Sequence, residues 1–170
     1  MAGVAAVKRR GFIDESRVAV TGWSYGGYMT TWLIGHYAGW RAAMAGAPVT
    51  DFLDQYNFSD GAGPAWGDVL GGSPWTGTRM EMYRAQSPIT YAPQIRTPTL
   101  IMTDTGDVRV PPTQSFKLYH ALQDNGVETR LVLFPVPGHS PGDPVRQREV
   151  QRRWIEWVEQ HFGAAQTRSN

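Results

Sequence analysis

The sequence predicts an α/β fold of about four parallel strands with flanking helices. Short β-type runs alternate with runs of helical period, and that alternation implies parallel strands joined by crossover helices. One strand-to-helix junction carries Gly22-Trp23-Ser24-Tyr25-Gly26-Gly27, a Gly-x-Ser-x-Gly pattern in the setting that makes it a nucleophile elbow. An aspartate and a histidine then follow later strands, in the chain order that such a serine needs.

Met1 to Arg10 reads as the end of an amphipathic helix stopped by Gly11. Arg17 to Thr21 is the first strand, and the run Tyr28 to Ile34 suits the helix that leaves the elbow. Arg41 to Val49, rich in small apolar residues, reads as a buried strand. Residues 51–92 form an irregular, partly helical excursion with turn-forming clusters at Asp60–Pro64, Gly71–Pro74 and Thr76-Gly77. Thr97 to Thr103 is a strand, Pro112 to Asn125 a helix closed by Gly126, and Thr129 to Phe134 a strand ended by Pro135. The last helix spans about Val145 to Phe162, with Val150, Trp154, Trp157, Val158 and His161 forming its apolar stripe.

At 170 residues the chain is one domain by length, with residues 1–165 as its body and 166–170 as a polar tail. Its 16 Lys and Arg nearly balance 15 Asp and Glu. The one Arg-rich stretch, Arg146 to Arg153, has apolar residues at helical spacing and reads as a solvated helix face, so nucleic acid is not an expected partner. With no cysteine and four scattered histidines, no metal site is expected, nor any cofactor. No apolar run approaches the length of a membrane span. The N-terminal charges follow the apolar stretch, the reverse of a secretory signal, which favours a cytoplasmic location.

Ser24 needs a base to take its proton, and the base needs a carboxylate to fix its tautomer. Partners should lie at the carboxyl ends of later strands. Asp104 and Asp107 both follow the strand at 97–103. Asp107 stands past the Gly106 turn, where its carboxylate can reach sideways, and is the better placed. For the base, His36, His120 and His161 fall on helices and read as structural or surface residues. His139 alone lies in a loop just after a strand.

Four segments, in order, resemble the catalytic domain of the prolyl oligopeptidase family of serine peptidases, its dipeptidyl-peptidase and acylaminoacyl-peptidase branches above all. They are Gly22–Tyr28; Ala85-Gln86-Ser87-Pro88-Ile89-Thr90-Tyr91 through Thr97-Pro98-Thr99-Leu100-Ile101; Gly106-Asp107-Val108-Arg109-Val110-Pro111; and Gly138-His139. The resemblance implies an α/β-hydrolase fold, with Ser24 as nucleophile, His139 as general base and acid, and Asp107 as orienting carboxylate. It implies the backbone N–H of Tyr25 as one oxyanion donor, and Val49, Phe52 and Val110 as pocket-lining positions. A short peptide is the implied substrate; a small ester, handled by the same fold, is the alternative. The family's sheet has about eight strands and the serine follows the fifth. Only 16 residues precede Arg17 here. The expectation is therefore a C-terminal segment lacking the earlier strands and the second oxyanion donor, with an oligomer possible; the alternative is a non-catalytic fragment or split subunit that works only with a partner chain supplying those strands.

Overall fold

The computed structural model describes residues 1–61 and 67–163. The polar tail and part of the Asp60–Pro64 turn lie outside the described residues. Four parallel strands, β1 (Ala19–Trp23), β2 (Ala42–Gly46), β3 (Thr99–Gly106) and β4 (Thr129–Pro137), form one sheet in the order β1-β2-β3-β4. Helices among the described residues include α1 (Ala2–Lys8), α2 (Tyr25–His36), α3 (Phe52–Phe58), α4 (Arg79–Gln86), α5 (Thr113–Asp124) and α6 (Pro144–Phe162). A 3₁₀ stretch at Pro88–Gln94 follows α4.

Every residue of β2 is buried, as a strand covered on both faces requires. Its alternate side chains divide the core. Ala43 and Ala45 join Ile34 of α2, Ile101, and Leu118 and Leu122 of α5 on one face. Ala42 and Met44 join Leu100, Met102, and Val150 and Trp157 of α6 on the other. Trp154 packs at the edge of that second cluster. With Ile155, Val158 and Phe162 it also lines a hollow of about 570 Å³ facing Ile13, Val18 and Ala19 beside β1.

Several boundaries differ from the sequence-based expectation, each for a local reason. Helix α2 begins at Tyr25, three residues before the run Tyr28–Ile34, because the sharp turn at Ser24 forces Gly26 and Gly27 into helical geometry despite their poor propensity. The second strand stops at Gly46 because Ala47 turns to a φ of 37° while donating its N–H to Met102 O at 2.7 Å. The third runs on to Gly106 and so includes Asp104. The fourth continues through Pro135 to Pro137, since β4 is a sheet edge and a residue with no N–H costs an edge nothing on its open side. Near the N-terminus, the helix ends at Lys8 and Gly11 lies beyond it at a φ of 78°.

The elbow's close approaches fall on Gly22 and Gly27. A β-carbon on Gly22 would lie 2.4 Å from the Gly26 main chain, and one on Gly27 would lie 2.6 Å from Gly46 O. A β-carbon on Gly26 would meet nothing within 4 Å. Gly27→Ala is therefore expected to cost about 1–3 kcal/mol through overpacking, whereas Gly26→Ala should leave the urea unfolding midpoint unchanged or raise it.

Candidate active site

The site forms at the carboxyl ends of β1, β3 and β4, where a parallel sheet places the loops that meet ligands. Ser24 sits between β1 and α2 with φ 60° and ψ −119°, a conformation a side chain with a β-carbon rarely adopts. Its N–H donates to Gly46 O at 2.8 Å. Tyr25 follows the serine as the first residue of α2, whose opening N–H groups have no partner within the helix. Its ring is exposed and stacks on Tyr28, with centroids 5.4 Å apart.

The structure brings Ser24, His139 and Asp107 into one hydrogen-bonded row. His139 Nε2 lies 2.6 Å from Ser24 Oγ, and Nδ1 lies 2.7 Å from Asp107 Oδ2. An ionised carboxylate can only accept, so the imidazole proton sits on Nδ1 and leaves the Nε2 lone pair facing the serine hydroxyl. The Asp107 carboxylate is itself held. Its Oδ1 accepts the N–H groups of Arg109 and Val110, each at 2.9 Å. The Asp107 side chain is fully buried, while a quarter of the His139 side chain remains open to solvent. The arrangement can take a proton from a hydroxyl, store it on an imidazole steadied by a buried carboxylate, and return it.

Asp104, the other aspartate of that loop, does not join the row. It lies inside β3, 1% exposed, with neither carboxylate oxygen hydrogen-bonded. Its nearest opposite charge is Arg146 Nη1, 3.8 Å from Oδ2. Burial pushes its pKa above the ordinary carboxylate value, against the pull of Arg146.

Val49, Phe52 and Val110 also come together, in a packed cluster with Tyr28 and Tyr83 beneath the start of α2. Each is almost fully buried, so together they form a wall, with no open cup among them. His36, exposed, lies against Trp32 and Tyr91, and His161 lies against Trp157; neither reaches the row.

Sequence reasoning passed over the groups that brace these loops. Gln114 of α5 accepts the N–H groups of Thr50 and Asp51 at 2.8 and 3.0 Å, and donates to Gln55 Oε1 at 2.7 Å. Gln55 in turn donates to Arg109 O at 2.9 Å, and so braces the loop that carries Asp107. A signal for Gln114 was available: it lies four and eight residues before Leu118 and Leu122, on the core stripe of α5. On the solvent side, the Arg109 guanidinium pairs with Asp60 at 2.6 Å.

A sequence model described as the prolyl oligopeptidase family matches residues 1–165. This chain belongs to the prolyl oligopeptidase family. It is 36% identical over 162 residues to a Bacillus subtilis protein named uncharacterized peptidase YuxL, covering 92% of this chain and 24% of that protein. It is 32% identical over 169 residues to the acylamino-acid-releasing enzyme of Homo sapiens, covering 95% of this chain and 23% of that enzyme. Its structure is similar to acylaminoacyl peptidase from Pyrococcus horikoshii, with a TM-score of 0.86 and 28% identity over 99% of this chain and 28% of that one. The sheet and its helices are thus part of an α/β-hydrolase fold. The chain spans about a quarter of the length of these relatives.

The position of Asp104 has a measurable consequence. A carboxylate whose pKa is raised on folding lends its full stability below the unfolded value, and that stability is lost as pH rises through the folded one. Asp104→Asn should therefore match the parent in unfolding midpoint near pH 4 and become the more stable of the two as pH rises. Paired urea titrations between pH 4 and 8 check this, and a parent that stays the more stable at pH 8 contradicts it.

Proposed function

We propose that this chain carries the reacting groups of a serine peptidase that hydrolyses short peptides through an acyl-enzyme on Ser24. The observation that carries the reading is the pair of bonds on His139, 2.6 Å to the Ser24 hydroxyl and 2.7 Å to the Asp107 carboxylate. In this mechanism Ser24 Oγ attacks the scissile carbonyl carbon as His139 Nε2 takes the hydroxyl proton. The negative charge that develops on the carbonyl oxygen faces the N–H of Tyr25. Collapse breaks the C–N bond, and His139 hands its proton to the departing amine. Water then attacks the acyl carbon, losing a proton to His139, and Ser24 leaves with that proton. Asp107 remains ionised throughout and keeps the imidazole in the productive tautomer.

Val49, Phe52 and Val110 would form the wall of the pocket for the residue before the scissile bond. The names of the relatives favour peptides with an acylated amino terminus as the substrate class. The edge strand β1 and the hollow beside it, lined by Ile13, Val18, Trp154 and Phe162, favour a working enzyme in which further polypeptide covers that edge. That polypeptide, from the same protein or from a partner chain, would supply the second oxyanion donor.

A serine-directed fluorophosphonate probe tests the reading. The protein should be labelled at Ser24, and Ser24→Ala should abolish labelling while lowering amide turnover on the order of a million-fold. Folded protein that resists the probe overturns the acyl-enzyme reading. Acylaminoacyl and dipeptidyl amides assayed beside p-nitrophenyl esters then decide peptidase against esterase, with the acylaminoacyl amides expected to turn over fastest.

A further inference from the structure

Trp23 precedes the nucleophile, and the indole of this residue reaches across the sheet ends to the base. Its Nε1–H donates to the main-chain carbonyl of His139 at 2.6 Å. We propose that Trp23 is a positioning residue that sets the reach of His139 toward Ser24, by holding the histidine's main chain while Asp107 steadies its ring. The proposal rests on the acyl-enzyme reading for its importance, though not for its geometry.

His139 lies in the connection between β4 and α6, just after Gly138 at a φ of 105°. Its two ring bonds run to side chains on other loops, and they can orient the ring only if the Cα beneath it is held. Among the described residues, the side chains that hold the main chain of residues 138–142 are Trp23, on the carbonyl of His139, and Gln147, 3.2 Å from Pro141 O. Only the first acts on the histidine itself.

The indole is a rigid strut for this purpose. It has a single polar atom, a donor, so the carbonyl satisfies it completely. Its ring packs against the cluster of Met44, Met102 and Trp157. It also lies over Gly46, where a β-carbon would stand 2.0 Å from its Cε3. The carbonyl of that same Gly46 receives the N–H of Ser24. Nucleophile and base are thus registered against one point on β2, the first through a main-chain bond and the second through the indole. Reaction geometry is sensitive at this scale, since a misplacement of about 1 Å can cost on the order of a hundredfold in rate.

The decisive variant replaces the indole N–H with sulfur, by incorporating benzothienylalanine at position 23, which keeps the ring's shape and removes the donor. Trp23→Phe is its encoded companion. The first readout needs no catalysis: the low-field Nδ1 proton of His139, held by Asp107, observed by NMR in histidine-labelled protein and assigned by its loss in His139→Gln. The second is the rate of fluorophosphonate labelling at Ser24. In the sulfur isostere the low-field resonance should broaden or vanish and labelling should slow by about 10- to 100-fold, with the thermal midpoint unchanged. Where amide turnover is measurable, kcat should carry the loss and KM should not. An isostere with the parent's resonance and labelling rate overturns the proposal. So does an isostere that fails to fold, which would make the N–H a requirement of folding, and so does a parent that lacks the resonance. A parent with the resonance but no labelling counts against the acyl-enzyme reading and leaves the role of Trp23 standing.

Discussion

A residue with a β-carbon gives up on the order of 1–3 kcal/mol to sit in the conformation that Ser24 adopts, and the surrounding structure holds it there through close backbone contacts. Gly22 and Gly26 touch main chain to main chain, with no room for a side chain on Gly22. Gly27 lies against Gly46 and Pro48 at the end of β2. The N–H of Ser24 is bound to the carbonyl of Gly46. Together these contacts leave the chain no relaxed path from β1 into α2. The hydroxyl therefore stands clear of the sheet, and the first turn of the helix lies beside it.

That turn would be idle without the precision of its neighbours, and the parallel sheet supplies it. β2, buried on both faces, fixes the spacing between the serine's strand and β3, which carries the aspartate. β3 and β4 pair along most of their length, with one register shift between Asp104 and Gly106. There the chain leaves the ladder and presents Asp107 sideways to the loop after β4. Two layers of bonding then stiffen the loops. Main-chain N–H groups and the Gln55–Gln114 pair fix the aspartate loop from inside. The Trp23 indole grips the histidine loop from the serine's own strand.

Asp104 and Asp107 show how little sequence separation has to do with role. Three residues apart, both almost fully buried, they differ in what surrounds the carboxylate. Asp107 has left the ladder and meets two main-chain N–H groups and an imidazole. Asp104 is still in the ladder and faces an arginine beyond hydrogen-bonding distance. Burial with donors leaves both oxygens of one carboxylate hydrogen-bonded beside the histidine. Burial without them makes the other an electrostatic burden on the fold.

The order of elements, the elbow, and the loops bearing Asp107 and His139 were all legible in the sequence. Each rests on local chemistry: alternating apolar periods, glycines that permit a sharp turn, and a polar residue just past a strand. Where boundaries moved, as at Pro135 or at Gly26 and Gly27, a neighbouring strand or a tight turn outweighed the local preference. In the elbow, packing divides the glycines: Gly22 and Gly27 have no room for a side chain, whereas a β-carbon on Gly26 would meet nothing within 4 Å. Trp23 and Gln55 carried no such mark, because an indole or an amide acquires its role from a carbonyl that folding brings near from tens of residues away. Residue type and the succession of elements along the chain, which are local, were therefore set by the sequence alone. Which aspartate meets the histidine, and what holds the histidine in reach of the serine, depend on distances between separate strands, and only the packed sheet determines those.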